Sequence, residues 1–198
     1  MKLKTDFYRR PNVLEIAREL IGKVLVTNID GIYTSGIITE TEGYDGVRDK
    51  ACHAYNGRRT PRTETMYQAG GVSYVYLCYG IHELFNVVTN EKDVPDAVLI
   101  RAVHPLEGKE HIFRRRNKPE SVRNIAGGPG TVSMALGINR SFNAVPLTGK
   151  TIWIEDQKIV LPTEKIIVTK RIGVESAGDA AHYPYRFVIP PAEACKIF

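Results

Sequence analysis

A chain of 198 residues, 43% hydrophobic and 25% charged, has the balance of an ordinary soluble globular protein and is long enough to bury roughly 70% of its unfolded surface without metals or disulfides. No apolar run approaches a bilayer span, the opening MKLKTDFYRRPN lacks the apolar core of a signal peptide, and three scattered cysteines, Cys52, Cys78 and Cys195, argue against a disulfide framework or a thiolate zinc cluster, so a reducing cytoplasm is the expected compartment. The formal net charge of +5 is unevenly spread: residues 101–126 hold seven cations against three acids, and Arg58, Arg59 and Arg62 form a second basic group.

In chain order, Asn12 to Ile21 places Val13, Leu14, Ile16, Ala17, Leu20 and Ile21 at helical spacing, with Pro11 and Asn12 before it and Gly22 after it, and predicts an amphipathic helix. Val24 to Thr27 and Tyr33 to Glu42 are β-branched runs joined by hairpin chemistry at Asn28 to Gly31. Beyond a turn-rich segment, 43–71, the runs Val72 to Tyr79 and His82 to Thr89 predict a second hairpin turning at Gly80-Ile81. Ala97 to Val103 reads as a buried strand, Pro105 to Arg116 and Pro129 to Leu136 as helices, and Thr151 to Glu155, Lys165 to Arg171 and Arg186 to Ile189 as closing strands. With no repeats and no low-complexity tract, the expectation is one mixed α+β domain over residues 1–198, with a largely antiparallel sheet and flanking helices.

Three groups of residues bear on chemistry. In TETEGYDG, Glu40, Glu42 and Tyr44 stand two apart and share one face if the strand runs on to Tyr44. Such carboxylates can act as general base, stabilise a cationic transition state or bind a metal, and an exposed sheet edge would show the same pattern. In YVYLCYG, Tyr74 and Tyr76 share a face, while Tyr79 takes the other beside the turn, where it can serve as a wedge; cross-strand packing is the plainer reading of all three. His53 lacks the neighbouring His or Cys partners of a metal motif and fits a hydrogen-bonded structural role equally well. Arg114, Arg115 and Arg116, with Arg58, Arg59 and Arg62, suit phosphate contacts or an ordinary solvated face.

Taken in order, ETEGYDG, ACHAYNGRRTPRTETMY, YVYLCYGIHELFNVV and VLIRAVHPLEG resemble the alkyladenine (3-methyladenine, methylpurine) DNA glycosylases that lack a helix-hairpin-helix, and the likeness extends to RIGVESAGDAAHYPYRF near the carboxyl end. The resemblance implies a single mixed domain from which a protruding β-hairpin enters the DNA minor groove. It implies Glu42 as the water-activating base, with Arg101 and the Val174 carbonyl holding that water. Tyr44, His53 and Tyr76 would enclose the flipped base, Asn86 would crowd the exocyclic amine of normal guanine, and Tyr79 would fill the vacated stack. Gly43 stands where an alanine is also familiar in the family, a departure that touches only local backbone stiffness.

The implied enzyme is a monofunctional glycosylase needing no metal or other cofactor. It would act as a monomer on double-stranded DNA, releasing alkylated or deaminated purines such as 3-methyladenine, 7-methylguanine, hypoxanthine and ethenoadenine, with no membrane and no obligate protein partner. Flipping costs a few kcal/mol, least for damaged bases, and stacking on aromatic side chains offsets about 1–3 kcal/mol per base. Two rivals remain open. A catalytically silent nucleic-acid-binding domain would leave no abasic site, and a metal-dependent nuclease using Glu40 and Glu42 would fail with a chelator.

Overall fold

The computed structural model describes residues 1–197. A single helical turn, α1 (Thr5–Tyr8), precedes α2 (Val13–Glu19), which starts where the Asn12 side-chain oxygen accepts the free N–H groups of Leu14 and Glu15 at 3.1 and 3.3 Å. Strands β1 (Val24–Ile29) and β2 (Ile32–Tyr44) then pair across Asp30-Gly31, whose φ angles of 52° and 76° match the twist of the flanking strands.

The 13-residue β2 is the spine of the sheet. Strand β5 (Asp96–Pro105) runs along one edge of it from Gly36 to Tyr44. Because a strand has only two edges, β1 and β8 (Arg186–Val188) share the other, β1 pairing with residues 32–37 and β8 with residues 40–42. Strands β3 (Ser73–Cys78) and β4 (His82–Thr89) extend the sheet beyond β5, β6 (Ile152–Glu155) extends it beyond β1, and β7 (Ile167–Thr169) beyond β8. Every ladder between these strands is antiparallel.

Alternation gives the two faces different tasks. On one, Phe85, Val87, Val98, Ile100 and Ile38 pack against Ile16 and Leu20 of α2, Ile112 of α3 (Lys109–Arg116), and Val132 and Leu136 of α4 (Pro129–Leu136) to form the main core, which α5 (Pro191–Ile197) closes through Ala194. On the other, Tyr74, Val88 and Ala97 meet Cys52, Ala54, Met66 and Tyr67 of a lid made of 3₁₀ turns at Gly46–Arg48, Tyr55–Gly57 and Glu64–Tyr67. The site lies on this second face.

Four expectations are corrected. The β3–β4 hairpin pairs Cys78 with His82, so its tip holds Tyr79, Gly80 and Ile81 rather than Gly80-Ile81 alone. Tyr79 therefore leaves the strand, with φ of 51°, instead of occupying the face opposite Tyr76. The helix expected from Pro105 begins at Lys109, because β5 runs to Pro105 and Gly108, at φ of 65°, turns the chain first. The strand expected over Lys165 to Arg171 shrinks to β7, since Arg171 and Ile172 leave the sheet to serve the site.

Candidate active site

One row of residues crosses the sheet. Tyr74 on β3 faces Asn86 on β4, Asn86 faces Leu99 on β5, Leu99 faces Glu42 on β2, and Glu42 faces Arg186 on β8. Directly opposed residues share a face, so backbone register alone brings the acid and the aromatic chamber to one side.

Glu42 is fully buried. Its Oε1 accepts the Ile172 N–H at 2.8 Å, and its Oε2 accepts the Tyr44 hydroxyl at 2.8 Å and an Arg101 N–H at 3.3 Å. Burial pushes its pKa above the ordinary carboxylate value; Arg101, the Ile172 N–H and the Tyr44 hydroxyl pull it back, and Glu40 pushes it further up. A carboxylate offers roughly four acceptor positions, so three donors leave room for one proton of a water.

Beside it lies a chamber of about 350 Å³ bounded by Tyr44, His53, Tyr74, Tyr76, Asn86 and Val174, within the usual range of small-ligand pockets. The His53 ring stands edge-on to Tyr76 with centroids 4.7 Å apart, and Tyr74 and Tyr76 tilt together at 5.3 Å. His53 Nδ1 is 3.1 Å from the Tyr74 hydroxyl, and Nε2 is 3.5 Å from the Arg62 guanidinium. A guanidinium only donates, so Nε2 accepts and the proton sits on Nδ1. Burial, then Arg62 and Arg58, lower the His53 pKa to about 4, which leaves the ring neutral at physiological pH. Asn86 donates its amide to the carbonyls of Tyr74 and Leu84 at 3.0 and 3.4 Å, which fixes its orientation on the chamber wall.

The hairpin tip stands out beside the chamber. Tyr79 is 86% and Ile81 73% exposed. A bulky residue in the left-handed region with its ring in water is costly on both counts, so local packing gives no reason for tyrosine at this position. Tyr79, Tyr76, Tyr44 and Gly173 also border a second cavity of about 360 Å³, whose other walls include Arg101, Ile172 and the start of α4 at Gly128 to Thr131.

Several features were not legible in the sequence. The Ile172 N–H reaches the Glu42 carboxylate, and Val174, two residues on, lines the aromatic chamber. Arg171 is buried behind Tyr44, with its guanidinium 4.8 Å from that ring and 5.2 Å from Tyr185. It pairs with both oxygens of Asp49 and donates to the carbonyls of Gly43 and Ala180 at 3.0 Å each. The RIGV segment carries part of the family resemblance, but nothing in its spacing gives the arginine a partner 122 residues away. Gly43 is tight for a different reason: a Cβ there would lie 2.7 Å from Leu14 Cδ2, so an alanine requires Leu14 to shift.

The basic residues divide. Arg58 and Arg62 line, with Lys50, a groove of about 510 Å³ adjoining the chamber and free of acidic side chains. Arg59 is turned to Glu64 and Asp93 in ion pairs of 2.7 and 2.8 Å. Arg115 donates to Thr34 Oγ1 and the Ala135 carbonyl, and Arg116 to the Ile125 carbonyl and the Met134 sulfur, so both serve packing around α3 and α4. Arg114 is exposed beside His111, and none of the three borders the chamber, the second cavity or the basic groove. Among the described residues no three His, Cys, Asp or Glu side chains converge as a metal-binding group, and no helix is long and apolar enough to cross a membrane.

The family model described as methylpurine-DNA glycosylase matches residues 6–193. A Chlamydia felis protein with the provisional name 3-methyladenine DNA glycosylase is 44% identical over 98% of this chain and its own full length. Proteins of the same provisional name from Clostridium perfringens and Bacillus thuringiensis are 42% and 43% identical, covering 96% and 94% of this chain and 96% and 95% of their own. The chain belongs to the methylpurine-DNA glycosylase family and is a DNA glycosylase.

Proposed function

We propose that this glycosylase excises alkylated or deaminated purines, with 3-methyladenine, 7-methylguanine, hypoxanthine and ethenoadenine as the substrate class, by a water that Glu42 deprotonates. The observation that carries the reading is the Glu42 carboxylate, fully buried yet held by three donors, Tyr44, Arg101 and the Ile172 N–H, all of which border the second cavity while Tyr44 also lines the aromatic chamber. The flipped base stacks among Tyr44, His53 and Tyr76, while Tyr79 fills the gap it leaves in the duplex. Asn86, its amide held by two carbonyls, meets the base edge and crowds the extra amine of guanine. As the glycosidic bond breaks, positive charge grows on the sugar, and an ionised Glu42 stabilises that charge as it takes the water's proton. Arg101 and the Ile172 N–H keep the carboxylate ionised against its burial. Phosphates on either side of the lesion are met by Lys50, Arg58 and Arg62 in the acid-free groove.

The test is release of free hypoxanthine from a duplex oligonucleotide containing one such base, with the abasic site then cleaved by alkali. Turnover that persists in chelator supports the reading. Binding without an abasic product points instead to a silent nucleic-acid-binding domain, and strand cleavage that a chelator abolishes points to a nuclease.

A further inference from the structure

Arg101 is unusual among the residues of its strand. The β2–β5 register shifts beside it, so that Ala102 faces Glu40 and Ile100 faces Thr41, and Arg101 itself has no residue opposite it. Such a shift re-aims a side chain, but it does not hold it there. An arginine side chain loses rotamer freedom when held in one orientation, and something has to offset that loss for the orientation to persist. Its contact with Glu42, at 3.3 Å, is longer than the 2.7–2.9 Å of a strong charge-assisted bond. The contact between its Nε and Glu40 Oε1, at 2.8 Å, falls within that range, and the same Oε1 accepts Arg186 Nε at 2.6 Å. Glu40 is 8% exposed and lies on the Glu42 face of β2, two residues away.

We propose that Glu40 is a positioning residue for base excision: its carboxylate, braced by Arg186, tethers Arg101 through Nε so that the far end of the guanidinium is presented to Glu42 and the attacking water. The inference rests on Glu42 being the general base. It assigns Arg186, at the register position facing Glu42 on β8, a role two contacts away from the chemistry. A plain charge role for Glu40 makes the opposite forecast. As a nearby anion Glu40 raises the Glu42 pKa, whereas as a tether it keeps in place the cation that lowers it. The other groups that bear on Glu42 are Tyr44 on β2, Tyr76 on β3, Arg101 on β5 and Arg171 after β7.

The experiment is a double-mutant cycle on single-turnover release of hypoxanthine from a saturated duplex, measured from about pH 5 to 9 in the parent, Glu40→Gln, Arg101→Lys and the double variant. Glu40→Gln is expected to slow release roughly tenfold and to move the acid limb of the profile to higher pH, with equilibrium binding of the lesion duplex within about twofold of the parent. In the Arg101→Lys background the same change is expected to cost less than about twofold. Costs that multiply in the double variant, or an acid limb that moves to lower pH, overturn the proposal. Should Glu40→Gln fail to fold, Arg186→Gln takes its place in the same cycle, with the same dependence on Arg101 expected. Glu42→Gln measured alongside separates the two readings: retained excision there removes the general base itself, while its loss together with a multiplicative cycle removes only the tether.

Discussion

At the scale of single residues, Tyr79 and Asp96 give the sharpest expectations. Tyr79 contributes neither burial nor relaxed backbone to the fold, being 86% exposed at φ of 51°. Tyr79→Ser is therefore expected to leave folding stability within about 0.5 kcal/mol of the parent. The same change should weaken capture of a flipped lesion by roughly 1–3 kcal/mol, the worth of one aromatic–base stack. Stopped-flow fluorescence on an ethenoadenine duplex reads flipping directly, and parent-like flipping combined with a loss of stability would return Tyr79 to a packing role. Asp96, by contrast, is a buried carboxyl whose pKa rises from 3.8 to about 6. Because the folded state keeps this proton to higher pH than the unfolded chain, the carboxyl favours the fold in acid, and that contribution is lost as pH rises through about 6. Asp96→Asn should flatten the stability profile over that window and raise stability near pH 7.5 by at most about 3 kcal/mol. Urea titrations at several pH values check this, and an unchanged pH dependence contradicts it. His53, at about 4, is already neutral where the enzyme is assayed, so it does not shape an acid limb above that point.

Between elements, the contacts that build the site join segments far apart in the chain. Arg171 ties the segment after β7 to the lid through Asp49 and to β2 through the Gly43 carbonyl, while its guanidinium backs the Tyr44 ring. Both partners of the Arg171–Asp49 pair are buried, so Asp49→Asn leaves a buried cation short of its counter-charge and should cost about 3–5 kcal/mol by thermal or urea unfolding. A loss below about 1 kcal/mol would mean that the carbonyls of Gly43 and Ala180 suffice to hold the arginine. This division also explains what the sequence disclosed. Strand alternation at Glu40, Glu42 and Tyr44 was visible as a period of two, and the structure keeps Glu42 and Tyr44 in contact at 2.8 Å. The α4 helix, with proline at its first position and Gly137 after its end, was bounded to the residue. The short α1 and α5 were missed because four to seven residues carry little periodicity. The Ile172 N–H on Glu42 has no sequence signal because backbone N–H groups leave no mark in a side-chain pattern, and the Asp49–Arg171 pair spans 122 residues with no local signal.

Across the whole molecule, the net charge of +5 matters less than where it is committed. The densest run of arginine, Arg114 to Arg116, lies on α3 with Arg115 and Arg116 engaged in packing, whereas Arg58 and Arg62 border a groove beside the chamber with no acid in its walls. Arg58→Gln and Arg62→Gln should each flatten the dependence of log K on log salt for duplex binding by about one contact, while Arg115→Gln and Arg116→Gln should lower stability and leave that slope alone. Equal slopes in all four variants would place the DNA elsewhere on the surface. The proposed chemistry turns on one buried carboxylate that activates the water releasing the base. It is tested most directly by comparing parent and Glu42→Gln in single-turnover release of hypoxanthine, with lesion binding measured on the same preparations. The rate should fall by at least about two orders of magnitude with binding retained, and near-parent release by Glu42→Gln would rule out a general base at this position.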